Sequence, residues 1–95
     1  MSRIAKAFGD LRTQRRRALI PFVVAGDPDL DTTLKIIQTL ARHGADLIEL
    51  GVPFSDPIAD GPVNQRAAQR ALAAGVSLAD ILGLVRKARA DVHQP

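Results

Sequence analysis

An α/β fold with parallel strands is the prediction for this chain, and three observations carry it. Two short apolar runs, Ala18 to Ala25 and Asp46 to Val52, each lead into a cluster of Gly, Pro, Asp and Ser. An amphipathic helical stretch separates them, giving a strand–helix–strand unit of about 35 residues with a right-handed crossover. The polar, acidic residues collect just after each run, where ligands sit in parallel α/β folds.

Taken in order, Ile4, Phe8 and Leu11 recur at i, i+4 and i+7, so residues 3–15 read as an amphipathic helix. Strand one covers Ala18 to Ala25. Pro21 lacks a ladder donor but lies near the strand start, and Phe22-Val23-Val24 favours a strand. Gly26-Asp27-Pro28-Asp29 is a turn that starts a second helix, with acidic residues at its positive end. Leu30, Leu34, Ile37 and Ala41 mark its buried face, supported by Ile36 and Leu40. Gly44 ends it just past His43, which suits the helix dipole and is not expected to be a catalyst. Strand two, Asp46 to Val52, follows at once.

Pro62 opens a third helix that Gly75 closes, and Ser77 caps a fourth. Asp80 stands at that helix's third position, and Val76 faces Ile81 as a hydrophobic staple. Leu78, Ile81, Leu82 and Val85 are its expected buried face, while Arg86, Lys87 and Arg89 crowd its negative end. Asp91 to Pro95 reads as a loop approaching a third strand. Two βα units alone leave a two-stranded parallel sheet with both edges bare, so the sequence reads as part of a larger architecture.

Composition narrows the function. With 95 residues, 46% of them hydrophobic but only three Phe and no Trp or Tyr, little aromatic mass is available for a core. The absence of cysteine excludes disulfides, thiolate metal sites and a cysteine nucleophile from these residues. The net charge of +3 owes much to Arg12, Arg15, Arg16 and Arg17. No aromatic residues interleave with them, so nucleic acid is not an expected partner and a solvated helix end is. The same arginines and the apolar run after them imitate a signal peptide. However, Pro21 interrupts the apolar part, and no small-residue cleavage site follows. No segment approaches the ~20 apolar residues of a membrane span, and a soluble, cytoplasmic protein is expected.

The residue that does not belong is Glu49, inside Leu47-Ile48-Glu49-Leu50-Gly51-Val52. An unpaired carboxylate in a strand covered on both faces costs several kcal/mol, so it must find a partner or a proton. A structural pairing with an arginine is one reading. The other follows from strand parity: with Ile48 and Leu50 against helices, Glu49 faces the interior, as Phe22 can from strand one. Beside apolar walls its pKa should rise, which suits proton exchange near neutral pH. Lys6, Lys35 and Lys87 are the only lysines and all lie in helical stretches, so no Schiff-base lysine is supplied. Ser55 has no histidine base at hand, and no P-loop is present. Asp27, Glu49, Asp56 and Asp60 could instead share a divalent cation, as in a metal-dependent barrel aldolase.

One loop carries a family resemblance. Glu49-Leu50-Gly51-Val52-Pro53-Phe54-Ser55-Asp56-Pro57, followed by Ala59-Asp60-Gly61-Pro62 and Gln65, resembles the signature of the tryptophan synthase alpha subunits. Pro21-Phe22-Val23-Val24-Ala25-Gly26-Asp27-Pro28, Arg70-Ala71-Leu72 and Gly75-Val76 extend the likeness over essentially the whole chain. The resemblance implies the N-terminal portion of a (β/α)8 TIM barrel: an N-terminal helix, two βα units and an extra helix in the second loop. Residues 1–95 would then be an incomplete part of one domain of about 250 residues. It implies cleavage of indole-3-glycerol phosphate to indole and glyceraldehyde 3-phosphate by a retro-aldol reaction, a carbon–carbon lyase step in tryptophan biosynthesis. Glu49 matches the family's general acid/base, Asp60 the carboxylate that stabilises charge at the indole nitrogen, and Phe22 an apolar wall of the indole site. Pro53 and Asp56 match loop positions that meet the beta subunit in an alpha2beta2 complex. No cofactor or metal is implied for this subunit; pyridoxal phosphate belongs to the beta partner. Asn64 departs from the pattern, which places an apolar residue there. The phosphate site and the closing lid belong to later loops, so these residues alone are expected to be inactive, or to serve only as a module that binds a beta-type partner.

Overall fold

The computed structural model describes residues 2–56 and 58–95; Pro57 of the loop motif lies outside them. Its elements run α1 (Arg3–Thr13), β1 (Phe22–Val24), α2 (Leu30–Arg42), β2 (Glu49–Gly51), α3 (Pro62–Ala73) and α4 (Leu78–Ala88). The strands pair in parallel, with Phe22 opposite Glu49, Val23 opposite Leu50 and Val24 opposite Gly51. The regular ladder is shorter than the apolar runs suggest, but its hydrogen bonds reach further. Asp46 N–H donates to Leu19 O at 2.9 Å, Glu49 N–H to Pro21 O at 2.9 Å and Ala25 N–H to Gly51 O at 2.9 Å. Pro21 thus contributes the one ladder group it owns, its carbonyl.

Successive N–H groups of β2 point to opposite edges. Glu49 donates toward β1, while Ile48 donates to Pro95 O at 2.9 Å. The expected approach of residues 91–95 to a third strand position is therefore realised, with β2 between them and β1. The Gln94 amide secures this segment by donating to Ala41 O at 2.8 Å and Ala45 O at 3.2 Å.

One face of the sheet is covered by helices. Ala25, Ile37, Ile81, Leu84, Ala88 and Val92 form the core, with Leu30, Leu34, Ala41, Ile48, Leu50 and Val76 packed around it. A buried Ile or Leu contributes about 1.5–3 kcal/mol relative to exposure, so Ile37, Ile81 and Leu84 supply most of the driving force here. The α4 face differs from the expected one. Leu78 and Leu82 are 60% and 62% exposed, while Leu84 and Ala88 are buried. Hydrophobic spacing alone allowed either stripe on this leucine-rich helix, and packing against α2 selected Ile81, Leu84 and Ala88. In α1 only Leu11 is buried; Ile4 and Phe8 remain exposed because no described element covers them.

The helix ends follow local chemistry. Asp29 Oδ1 accepts from Thr32 N–H at 2.7 Å and caps α2. Ser77 and Asp80 form a reciprocal capping box at 3.1 and 3.0 Å, as the spacing predicts. Gly44 and Gly75 follow α2 and α3 with φ of 112° and 82°, values that only glycine takes without strain. The arginine run is not merely solvated. Arg16 pairs with Asp46 at 3.1 Å, and the same carboxylate accepts from Leu19 N–H at 2.8 Å, tying the approach to β1 onto the start of β2.

Backbone donors hold the Asp29 and Asp80 carboxyls below the usual carboxylate range. A depressed folded-state pKa contributes stability above the unfolded value of about 3.9, and that stability is lost as pH falls through the folded value. We predict that Ser77→Ala lowers stability at neutral pH by about 1 kcal/mol in a denaturant titration. Asp80→Ala should also lower stability at neutral pH, and by less as pH falls below about 4, because protonated Asp80 in the parent no longer accepts the reciprocal bond from Ser77 N–H.

Candidate functional site

The site lies beyond the carboxyl ends of β1 and β2, and its first wall is the loop after β1. Ala25 is fully buried, and Gly26 has a φ of 90°. Val76 Cγ2 occupies the place a Cβ on Gly26 would take, so the backbone passes directly under Val76. Gly26 N–H donates to the buried Thr33 Oγ1 at 3.0 Å, and that hydroxyl donates onward to Asp29 O at 2.8 Å. The loop is thereby fastened to the first turn of α2. Thr33 was not legible as a site-building residue, since its hydroxyl breaks an otherwise apolar stripe.

Asp27 leaves this loop at 19% side-chain exposure and meets Arg70 of α3. Arg70 Nε and Nη2 donate to its two oxygens at 2.7 and 2.9 Å, a bidentate pair. These hydrogen bonds hold the Asp27 carboxyl below the usual range. Sequence reasoning noted both residues but had no means of joining positions 43 apart.

Glu49 and Phe22 are brought side by side. They are register partners on the face of the sheet opposite the helices, while Ile48 and Leu50 pack on the helical side, as parity requires. The Phe22 ring folds over Gly51: a Cβ there would stand 2.6 Å from Phe22 Cζ. Gly51 is therefore the clearance that lets the ring lie beside Glu49, a role no sequence signal marked. The enclosure expected around Glu49 is not formed by the described residues. Its side chain is exposed, Phe22 is 47% exposed, and no arginine pairs with Glu49 among the described residues.

The loop after β2 carries the remaining candidates. Pro53 is half-buried, whereas Phe54, Asp56, Ile58, Asp60 and Asn64 are exposed. Ile58 N–H donates to Asp56 O at 2.9 Å, which tightens the loop tip. Asp60 is fixed through its backbone, because Gln65 Nε2 donates to Asp60 O at 2.7 Å from the first turn of α3. Gly61 is the N-cap and Pro62 the first helical residue, so Asp60 directly precedes a rigid helix start. Neither Asp56 nor Asp60 takes part in a salt bridge among the described residues. Nor do any three His, Asp or Glu side chains among them stand together as a cation site, and Asp27 is committed to Arg70.

A family model described as Tryptophan synthase alpha chain matches residues 8–95. The chain belongs to the tryptophan synthase alpha chain family. It is 55% identical over 95 residues to the tryptophan synthase alpha chain of Rippkaea orientalis, covering 100% of this chain and 36% of that protein. The alpha chain of Methylibium petroleiphilum is 58% identical over 89 residues, covering 94% of this chain and 33% of its own length. Among solved structures, tryptophan synthase subunit alpha from Legionella pneumophila superposes with a TM-score of 0.93 at 43% identity, over 97% of this chain and 36% of that one. A chain of M. tuberculosis tryptophan synthase in its aminoacrylate-bound form gives 0.85 at 40% identity, over 90% and 35% of the two chains. The sequence thus spans about a third of the length of the relatives it matches. The fold is the N-terminal portion of the family's (β/α)8 barrel, and the Glu49 face of the sheet is the barrel interior.

Within this alpha chain, Gly51→Ala should displace the Phe22 ring while leaving the backbone register intact. The check is the aromatic spectrum of a ¹³C-phenylalanine-labelled sample: Phe22 resonances shift, and those of Phe8, remote on α1, hold still. An unmoved Phe22 would show that the glycine is not its clearance.

Proposed function

We propose that this chain supplies part of the catalytic centre of an indole-3-glycerol-phosphate lyase, a retro-aldol enzyme. The observation that carries the reading is Glu49 on the interior face of β2, register partner to the Phe22 ring. The family membership of residues 8–95 supports it. Residues 1–95 are read as one part of a single barrel domain.

The reaction needs three things. A proton must reach indole C3, which leaves positive charge on the ring nitrogen. A carboxylate must stabilise that charge. Loss of the proton from the adjacent side-chain hydroxyl then lets the C3–C bond break: its electron pair returns to the ring, restoring indole, and the hydroxyl carbon leaves as an aldehyde. Glu49 is assigned the proton transfers, because a strand holds it rigidly beside an apolar aromatic wall. Asp60 is assigned the nitrogen, because its loop is fastened through the backbone and its carboxylate makes no salt bridge among the described residues. Phe22 lines the indole site. No cofactor is assigned to this subunit. Pro53 and Asp56, on the loop tip, are assigned to the contact with a beta subunit in an alpha2beta2 complex, where pyridoxal phosphate would serve the partner's reaction. The phosphate site lies outside these residues, and the 95-residue chain alone is read as inactive. Cytoplasmic location fits a biosynthetic enzyme, and no single helix among the described residues is long and apolar enough to cross a membrane.

In the complete alpha chain, Glu49→Gln should lower kcat by about 10²–10⁴-fold with little change in substrate affinity. Asp60→Glu should retain measurable single-turnover activity that Asp60→Asn lacks, since it restores charge at a displaced position. Glu49→Asp should not be rescued in that way, being one methylene too short on a rigid strand. Greater activity in Glu49→Asp than in Asp60→Glu would refute the two roles.

Asp56→Ala should weaken stimulation by the beta subunit more than it lowers cleavage by the alpha chain alone. Steady-state indole release measured with and without the partner decides this, and equal losses would move Asp56 out of the interface.

A further inference from the structure

Helix α3 begins one N-cap residue after Asp60, so what fixes α3 also bears on the backbone that carries that carboxylate. Its buried face consists of Ala67, Ala68 and Ala71, which allow close approach to β1 but offer no bulky knobs to resist sliding or tilting. Its N-cap, Gly61, provides no side-chain hydrogen bond. The helix also carries a polar tether, the two-point contact of Arg70 with Asp27 at 2.7 and 2.9 Å. The loop bearing Asp27 is itself rigid, since Gly26 is bonded to Thr33 and packed under Val76.

We infer that Asp27 and Arg70 are positioning residues for the retro-aldol reaction, a clamp that sets Asp60 through α3. The inference rests on the role proposed for Asp60. A planar guanidinium gripping both carboxylate oxygens fixes distance and orientation together, which a point charge does not. The lever is long. From Arg70 back to Pro62 the helix spans eight residues, about 12 Å at helical rise, so a tilt of roughly 5° about the clamp moves its start, and Asp60 beyond it, by about 1 Å. A misplacement of about 1 Å can cost on the order of 10²-fold in rate. Arg70 is 56% exposed, and pairs this accessible contribute little to global stability. Loss of the clamp should therefore appear in position and rate more than in unfolding.

The test uses the complete alpha chain with Asp27→Ala, Arg70→Ala, the double variant and Arg70→Lys. Each alanine variant is expected to lower kcat of indole release about tenfold, with KM changed by less than about twofold and the double variant no worse than the poorer single one. Arg70→Lys, which keeps the charge but not the fork, should recover only part of the loss. Amide hydrogen exchange should quicken in residues 58–66 and stay unchanged in residues 77–88. An unchanged kcat in the alanine variants overturns the clamp. So does a loss of rate accompanied by equal loosening of both segments, which is what general destabilisation gives. Should the parent chain release no indole, the proposed function fails, and the exchange comparison alone decides whether Asp27 and Arg70 hold α3.

Discussion

The parallel pairing of β1 with β2 is the constraint on which everything else depends. Its register places Phe22 opposite Glu49 and Val23 opposite Leu50. Because side chains alternate, a slip of one residue would turn Glu49 into the helical layer and bring Ile48 and Leu50 out of it. The register is protected at both ends. The Asp46 carboxylate binds Leu19 and Arg16 below the ladder, and Ala25 N–H closes onto Gly51 O above it. Burial of Ile48 and Leu50 against the core then penalises any alternative on energetic grounds.

From this pairing the two site loops follow as neighbours. A parallel ladder puts the carboxyl ends of both strands on one side, so Asp27, Asp56 and Asp60 emerge there although they are distant in sequence. The two loops are stiffened differently. The first is bound internally by Thr33 and Asp29 and covered by Val76. The second is held at its end by the helix it leads into, through Gln65 and Asp60. The Asp27–Arg70 pair joins the two systems.

Helix ends, the strand–helix–strand order and the odd carboxylate in an apolar strand were legible from residues alone. Capping and termination are local: Ser77 with Asp80, Asp29 with Thr32, and Gly44 and Gly75 act within a few positions of themselves. Parity is local as well, which is why the opposite facings of Glu49 and of Ile48 and Leu50 could be read beforehand. The choice of stripe on α4 was not, because Leu78 and Leu82 match Leu84 in hydrophobicity and only the position of α2 distinguishes them. The extent of the strands was also overestimated, since apolar runs mark burial and ladder alike.

By itself the sequence determined the α/β order, the residues that start and stop α2 and α3 and that cap α4, and the loop motif that places the chain in its family. Each is set by chemistry acting over one or two turns of chain. Only the tertiary structure decided that Arg70 grips Asp27, that Gly51 makes room for Phe22, that Arg16 is tied to Asp46 and that Pro95 O takes the Ile48 N–H. These contacts depend on distances between segments separated by tens of residues. Such distances follow from how helices and strands pack, which no local pattern encodes.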